Sequence, residues 1–476
     1  MTAPVPALPR SGALPAVRLD SAGRRHIDMR AIAVLALPLV LNSTVQAVLN
    51  LTDTWFIGRL STAATAAISA VHWLALLALF VIGGVAMGVQ TLVAQAYGAG
   101  RYRRTTQIAW LGLWASLLTI PAFALTIVFG PAMIRAFGLG AEVEELAIQF
   151  WIPRMIGGPL AAALWAAVAF YNGIGRTRIP LGIGLLVMSS NVVLNEIFIF
   201  QFGWGIAGAA WATTCAELLG VMLAIVMILR LDPQRFMPTL TWRPATRRIV
   251  TLVALGLPMA MTASADLGAA ALFQLMQVQF GVVDGAATQI VVIFTAMAYM
   301  PGIGLALAGT TLVGQAIGAG NRDWAAKLGN RIILIVACYM GGIGLVIALV
   351  GNWLVPLFVN DADPRAAEVI ALCSPLLWLA AAYQFFDGVN FASAFCLRGA
   401  GDARVPALIV LACGVLLFLP LTHVLTFAAG DGWFDGLPGY GLGAIGGWSA
   451  ILVYVVAIGT ALWLRWRSNA WRLIRL

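Results

Sequence analysis

Twelve stretches of this 476-residue chain are apolar for long enough to cross roughly 30 Å of hydrocarbon. They lie near 31–57, 63–91, 106–134, 147–170, 179–201, 205–229, 249–280, 286–317, 330–358, 367–396, 405–428 and 443–464. A bilayer core offers no water to backbone N–H and C=O groups, so a spanning segment must pair them internally, in a helix or a closed barrel. Ala, Leu, Gly and Val outweigh any period-two alternation, which predicts helices. Composition agrees, because 61% hydrophobic residues against 10% charged cannot cover a water-exposed globule. The expected fold is an all-α integral membrane protein of twelve transmembrane helices in two six-helix lobes.

The charges predict orientation. Arg10, Arg18, Arg24, Arg25 and Arg30 precede the first span, and the even-numbered connections hold Arg101, Arg103, Arg104, Arg176, Arg178, Arg230, Arg235, Arg243, Arg247, Arg248, Arg322, Lys327, Arg331, Arg398 and Arg404. Arg465, Arg467, Arg472 and Arg475 follow the last span, while only Arg59, Arg135 and Arg365 lie on the opposite side. The positive-inside rule then places both termini in the cytoplasm of a multi-pass plasma (inner) membrane protein. Glu142, Glu144, Glu145, Asp284, Asp361, Asp363, Glu368, Asp431 and Asp435 fall on the outer side, which agrees in sign. The net charge of +9 is thus mostly topology and implies no nucleic-acid partner. Cys215, Cys338, Cys373, Cys396 and Cys413 sit in apolar runs without ligand spacing, so neither a disulfide framework nor a zinc site is expected. Residues 1–30 read as a soluble cytoplasmic leader without a cleavable signal, 230–248 as a basic linker and 465–476 as a basic tail.

The chain also repeats itself. Gln95-Ala-Tyr-Gly98-Ala-Gly100 recurs as Gln315-Ala-Ile-Gly318-Ala-Gly320, an offset of 220 residues shared by Thr91 with Thr311 and Pro38 with Pro258. Gly173-Ile-Gly175 recurs as Gly399-Ala-Gly401 at an offset of 226, and Gly205-Ile-Ala-Gly208 finds Gly443-Ala-Ile-Gly446. Six spans per half is an even number, so the halves (31–229 and 249–464) are expected to be parallel repeats about an axis along the membrane normal. Two such lobes enclose a cleft that rocking can open to either face, which favours alternating access.

Ionisable groups inside spans are costly and usually mark ion or substrate routes. Here they are Asp53, Arg154, Glu196, Glu217, Asp266 and Asp387. A carboxylate in low dielectric is held most cheaply with a proton or a cation beside it, and either can couple an ion gradient to a change of shape. Asp53 follows Pro38 by fifteen residues, about 22 Å along one helix, and proline supplies a hinge. Asn191 and Asn195 share a face, and with Thr213 and Asp53 they offer an all-oxygen set for a hard monovalent cation or an internal hydrogen-bond network. In the second half Asp266 and Asp387, with Tyr383 one turn before Asp387, can bind an ion, share a proton or meet an organic cation. Gln289 and Tyr299 add polar and aromatic contacts, and Phe385, Phe386 and Phe391 an apolar wall. His72 and His423 read as packing residues, and Glu196 and Glu217 as outer-interface groups or partners of Arg154.

In this order the segments Leu51-Thr-Asp53-Thr-Trp-Phe-Ile-Gly58, Gln90-Thr-Leu-Val-Ala-Gln95, Asn191-Val-Val-Leu-Asn195, Gly205-Ile-Ala-Gly208 and Tyr383-Gln-Phe-Phe-Asp387 resemble those of multidrug and toxic compound extrusion (MATE) transporters of bacterial type. The resemblance runs from about residue 30 to 465. It implies efflux of amphipathic, cationic small molecules in exchange for Na+ or H+, by a monomer surrounded by membrane lipids and without a cofactor. It assigns Asp53 to the amino-lobe coupling acid, Pro38 to its bending proline, and Asn191 and Thr213 to that acid's partners. Asn195 stands where some branches carry Asp, and Asp266 where the sodium-coupled branch usually has Glu. Tyr383 and Asp387 match that branch's helix-10 pair, making Asp266, Asp387 and Tyr383 a possible Na+ site, with Gln289 and Tyr299 at its cation or drug contacts.

Three rivals remain. A lipid or lipid-linked oligosaccharide flippase of the same superfamily would want several cations lining the cleft, where only Arg154 qualifies. An intramembrane enzyme would need a nucleophile–base pair or metal triad, and none has the spacing. A passive channel would need a filter pattern, which is absent from the sequence.

Overall fold

A computed structural model of the chain describes residues 14–244, 246–359, 364–433 and 438–474, with side chains at 246 and 247 left out. Of the residues named above, Arg10, Asp361, Asp363, Asp435, Arg475 and the Arg247 side chain lie outside the described residues.

The leader ends in a short antiparallel hairpin, β1 (Val17–Leu19) with β2 (Arg25–Ile27). Its turn closes on Asp20, whose carboxylate accepts from the Ala22 and Arg24 amides. Asp28 caps α1 (Met29–Gly58), and Ser61 caps α2 (Thr62–Gly83). The order continues with α3 (Gly88–Gly98), α4 (Tyr102–Leu117), α5 (Ile120–Ala136), α6 (Ala141–Ile156), α7 (Gly158–Gly173), α8 (Arg178–Asn195), α9 (Gly205–Leu229) and the one-turn α10 (Pro233–Phe236). Then follow α11 (Thr246–Phe280), α12 (Val282–Gly318), α13 (Arg322–Leu354), α14 (Ala366–Ala400), α15 (Arg404–Cys413), α16 (Leu419–Thr426) and α17 (Gly443–Arg467). Among the described residues, eleven helical runs are long and apolar enough to cross a membrane, and the pair α6–α7, bent by 46°, adds a twelfth.

Several expected spans are broken. A 3₁₀ turn at Gly84–Met87 separates α2 from α3, where a side chain on Gly84 would collide with Ala260 of α11. Pro121 sits in the first turn of α5 and lacks the N–H that would continue α4. The α6–α7 bend falls at Gly157, between Pro153 and Pro159, and the Thr214 hydroxyl donates to the Pro153 carbonyl at 3.3 Å. Wider π turns at Glu196–Gln201 and Gly414–Phe418 interrupt the fifth and eleventh spans.

The segments outside the spans also pack on the helices. At the described end of the leader the Trp324 indole donates to the Pro15 carbonyl at 2.9 Å, and Val17 and Ile27 pack against the α12–α13 core. Helix α11 begins inside the expected linker. In the basic tail Arg465 and Arg467 are still helical, Arg465 pairs with the Asp402 carboxylate at 2.8 Å, and buried Trp471 stacks on Trp466.

Each half carries two apolar clusters, one toward the arginine-bearing end and one toward the other. Large apolar side chains such as Leu37, Val128, Phe129, Leu345 and Leu416 stay exposed on the outside, as lipid contact requires. Some close contacts between the halves come in pairs at the 220-residue offset. A side chain on Gly304 would strike the Val40 backbone, and one on Gly84 would strike Ala260, which is the same contact with the halves exchanged.

Candidate functional site

The polar residues of the spans fall into two clusters and one seam. In the first half, α1, α8 and α9 bring Asp53, Asn191, Asn195 and Thr213 together. The Asn195 amide donates to Asp53 Oδ1 at 2.8 Å and to Asn191 Oδ1 at 3.0 Å. The Asn191 amide donates to Thr213 Oγ1 at 3.2 Å, and the Thr213 hydroxyl lies 3.4 Å from Asp53 Oδ2. Both asparagines are fully buried. The Asn195 amide turns an N–H toward the carboxylate and the Asn191 amide one toward Thr213, so the four side chains are linked by hydrogen bonds in this structure. Asn195 Oδ1 is a buried acceptor with no donor among the described residues.

Beside it, one guanidinium nitrogen of Arg154 sits 3.1 Å from both oxygens of Glu217. Glu196 is exposed in its π turn. His72 packs edge-on against Trp73, and buried His423 accepts from the Trp433 amide at 3.0 Å.

In the second half, Asp387 of α14 is buried and accepts on both oxygens, from the Tyr383 hydroxyl at 3.2 Å and the Asn390 amide at 3.1 Å. Asp266 of α11 and Tyr299 of α12 lie within electrostatic range of Asp387. Tyr299 stands edge-on to Phe391 with ring centres 5.0 Å apart, and Phe385 meets Phe386 the same way at 5.4 Å. Gln289 is not drawn in: it is exposed on α12, while its neighbour Thr288 is buried against Trp448. Two carboxylates and a phenol suit a hard monovalent cation, although Tyr383 and Asn390 already spend donors on Asp387.

Three participants escaped sequence reasoning. Asn390 follows Asp387 by one turn, a spacing that could have revealed it. Gln384 is buried and donates to the Thr295 carbonyl at 2.8 Å, tying α14 to α12. Arg398 looks like an end-of-span arginine, yet its charge reaches Asp266 from the far end of α14.

The seam lies at the arginine-bearing end, where the repeated motifs meet. The Thr91 hydroxyl donates to the Arg398 carbonyl at 2.9 Å, and the Gln95 amide to the Gly399 carbonyl at 3.0 Å. With the halves exchanged, the Thr311 hydroxyl donates to the Asn172 carbonyl at 2.9 Å and the Gln315 amide to the Gly173 carbonyl at 2.9 Å. The acceptors are last-turn carbonyls of α14 and α7; those of Arg398 and Asn172 also accept from the Gly401 and Gly175 amides of their own helix ends, so each uses its second lone pair across the seam. Both helices close on a left-handed glycine, Gly401 (φ 88°) and Gly175 (φ 78°), which leaves those carbonyls facing the other half.

The MatE family model matches residues 38–197 and 258–424. This chain belongs to the MATE family. A MATE relative from Rhizobium meliloti (strain 1021), a probable multidrug resistance protein NorM, is 29% identical over 463 residues, 94% of either chain. A second probable NorM, from Mesorhizobium japonicum, is 30% identical over 467 residues, 92% of this chain and 94% of its own. Among solved structures, an outward-facing multidrug resistance MATE family transporter of the MOP superfamily superposes with a TM-score of 0.81 at 19% identity, covering 93% of this chain and 96% of its own. MATE proteins are secondary active transporters of small molecules and not enzymes, and this one is a multi-pass membrane protein of that kind.

Proposed function

We propose that the chain exports amphipathic, cationic small molecules across the plasma membrane by Na+ or H+ antiport, as a monomer with both termini in the cytoplasm. Spans 1–6 and 7–12 form two lobes related by an axis along the membrane normal, joined by the basic linker, and they rock between inward- and outward-open states. Asp53 with Asn191, Asn195 and Thr213 is the amino-lobe coupling site. Asp266, Asp387 and Tyr383, flanked by Tyr299, take the ion or the organic cation, and Pro38 is the hinge of α1.

The observation that carries this reading is the reciprocal seam. Among the described residues six hydrogen bonds join the lobes along this seam: the four reciprocal ones, and two from Gln90, whose amide donates to the Leu307 carbonyl and the Thr311 hydroxyl, while both acid clusters are assembled within single halves. A closure made of a few direct hydrogen bonds, each replaceable by water, is strong enough to hold and weak enough to release. Arg398 supports coupling between site and seam, because its carbonyl is held by Thr91 while its side chain senses Asp266. Its guanidinium lies 4.6 Å above the Phe395 ring, so neutralising Asp266 changes the field at a side chain held between site and seam. The flippase alternative draws less support, since its one candidate cation, Arg154, is neutralised by Glu217.

The test is transport of a fluorescent organic cation in proteoliposomes with pH and Na+ gradients imposed separately, comparing wild type with Asp53→Asn, Asp266→Asn and Asp387→Asn. Loss of gradient-driven uptake in the variants is expected. Full transport in all three would remove the site assignment, and movement of labelled phospholipid without any cation transport would favour the flippase.

A further inference from the structure

At the arginine-bearing end, the start of α4 and the linker between α9 and α11 enclose a cleft of about 650 Å³. Arg101, Arg103, Arg104, Arg235, Arg243 and Arg248 line it, and none of the described residues lining it is acidic. Topology alone requires basic loops, but it does not require six guanidinium groups to converge on one concavity, where like charges repel.

The cleft is also built rather than draped. The Trp110 indole donates to the Pro238 carbonyl at 3.0 Å and the Trp114 indole to the Trp242 carbonyl at 2.7 Å, which pins the linker along α4. Fully buried Phe236 packs on Tyr102, and the Arg235 guanidinium lies 4.1 Å above the same ring. Arg248 donates to the Gln107 side chain, joining α11 to α4. At the rim, Leu240 and Trp242 are 67% and 49% exposed, apolar groups turned outward at the depth where the apolar run of α4 begins. Tryptophan favours the headgroup level of a bilayer, and the planar guanidinium fork matches phosphate oxygens two at a time.

We propose that this cleft binds the phosphate of an anionic phospholipid, with the acyl chains running past Leu240 and Trp242. The shared chemistry is a phosphate among arginines; the apolar rim favours a lipid over a soluble phosphate. The site stands on the fold and does not depend on which ion drives transport.

Native mass spectrometry of the full chain in detergent, titrated with phosphatidylglycerol, phosphatidylcholine or inorganic pyrophosphate, tests this. Phosphatidylglycerol is expected to be retained over phosphatidylcholine. Its affinity should fall about a hundredfold in the triple variant Arg101→Gln/Arg104→Gln/Arg243→Gln, and stay within about twofold in Arg176→Gln/Arg178→Gln/Arg322→Gln, which loses the same charge elsewhere. Equal losses in the two variants would mean diffuse attraction to a basic face and overturn the site. Displacement of the lipid by pyrophosphate at matched phosphate concentration would overturn the lipid assignment. If the triple variant fails to fold, Arg243→Gln alone should weaken binding about fivefold, and an unchanged affinity rejects the proposal.

Discussion

The Gln95 side-chain amide lies 3.0 Å from the Gly399 carbonyl, and the chain repeats this contact with its halves exchanged, at Gln315 and Gly173. The glycines one turn after each glutamine make the approach possible. A Cβ on Gly98 would stand 2.0 Å from the Gln315 carbonyl, and one on Gly318 2.0 Å from the Gln95 carbonyl. Backbone cannot yield to a methyl group there, so Gly98→Ala and Gly318→Ala should each cost the closed seam about 1–3 kcal/mol or more and leave an open seam unaffected. A cysteine placed at Asn172 in a variant lacking the five native cysteines should then react with a maleimide from that side at least severalfold faster. Unchanged labelling rates would mean that the seam never opens.

Arg154 and Glu217 form a mostly buried ion pair, with side chains 14% and 10% exposed. Removing one partner leaves an uncompensated charge, whereas removing both does not. Glu217→Gln should destabilise by about 3–5 kcal/mol. Arg154→Met/Glu217→Leu should unfold near the wild-type temperature by thermal denaturation in detergent. Wild-type behaviour of Glu217→Gln would show that water or lipid already serves Arg154.

Arg398 separates binding from coupling. Arg398→Gln keeps the backbone carbonyl that Thr91 holds but removes the charge near Asp266. Transport kinetics should show maximal rate falling about tenfold with KM for the organic cation within about twofold, corresponding to roughly 1.4 kcal/mol of lost coupling. A raised KM at unchanged maximal rate would make Arg398 a substrate contact instead.

Pro38 is buried inside α1, two residues before the Val40 backbone that meets Gly304. Alanine restores the missing N–H and removes a break that costs about 3 kcal/mol in a helix interior. Pro38→Ala is therefore expected to raise the unfolding temperature while slowing turnover. Lower stability with normal turnover would remove the hinge role.

Much of this was legible in the sequence because lipid makes hydrophobic length a direct signal. The family resemblance rested on motifs in a fixed order, only some of which recur in both halves. What stayed hidden depends on partners far apart in the chain. The breaks at Gly84 and Gly157 answer to Ala260 and Thr214, which no local pattern announces. The Arg154–Glu217 pair spans 63 residues, so the sequence could offer it only as one of two readings. Gln95 and Gln315 were visible as a repeat, but a repeat does not say that each copy reaches across to the other half. Trp471 lies four residues beyond the end of α17, and no local pattern announces that it stacks on Trp466.

The most direct test is the distance between spin labels at Arg103 and Arg322, at the arginine-bearing ends of the two halves, in a variant lacking the native cysteines. The wild-type seam should give one dominant short-distance population. Gln95→Leu/Gln315→Leu should move weight to a longer distance by roughly tenfold, from two lost hydrogen bonds of about 0.5–1.5 kcal/mol each. An unchanged distance distribution in a folded double variant would contradict a reversible closure built from these two side chains.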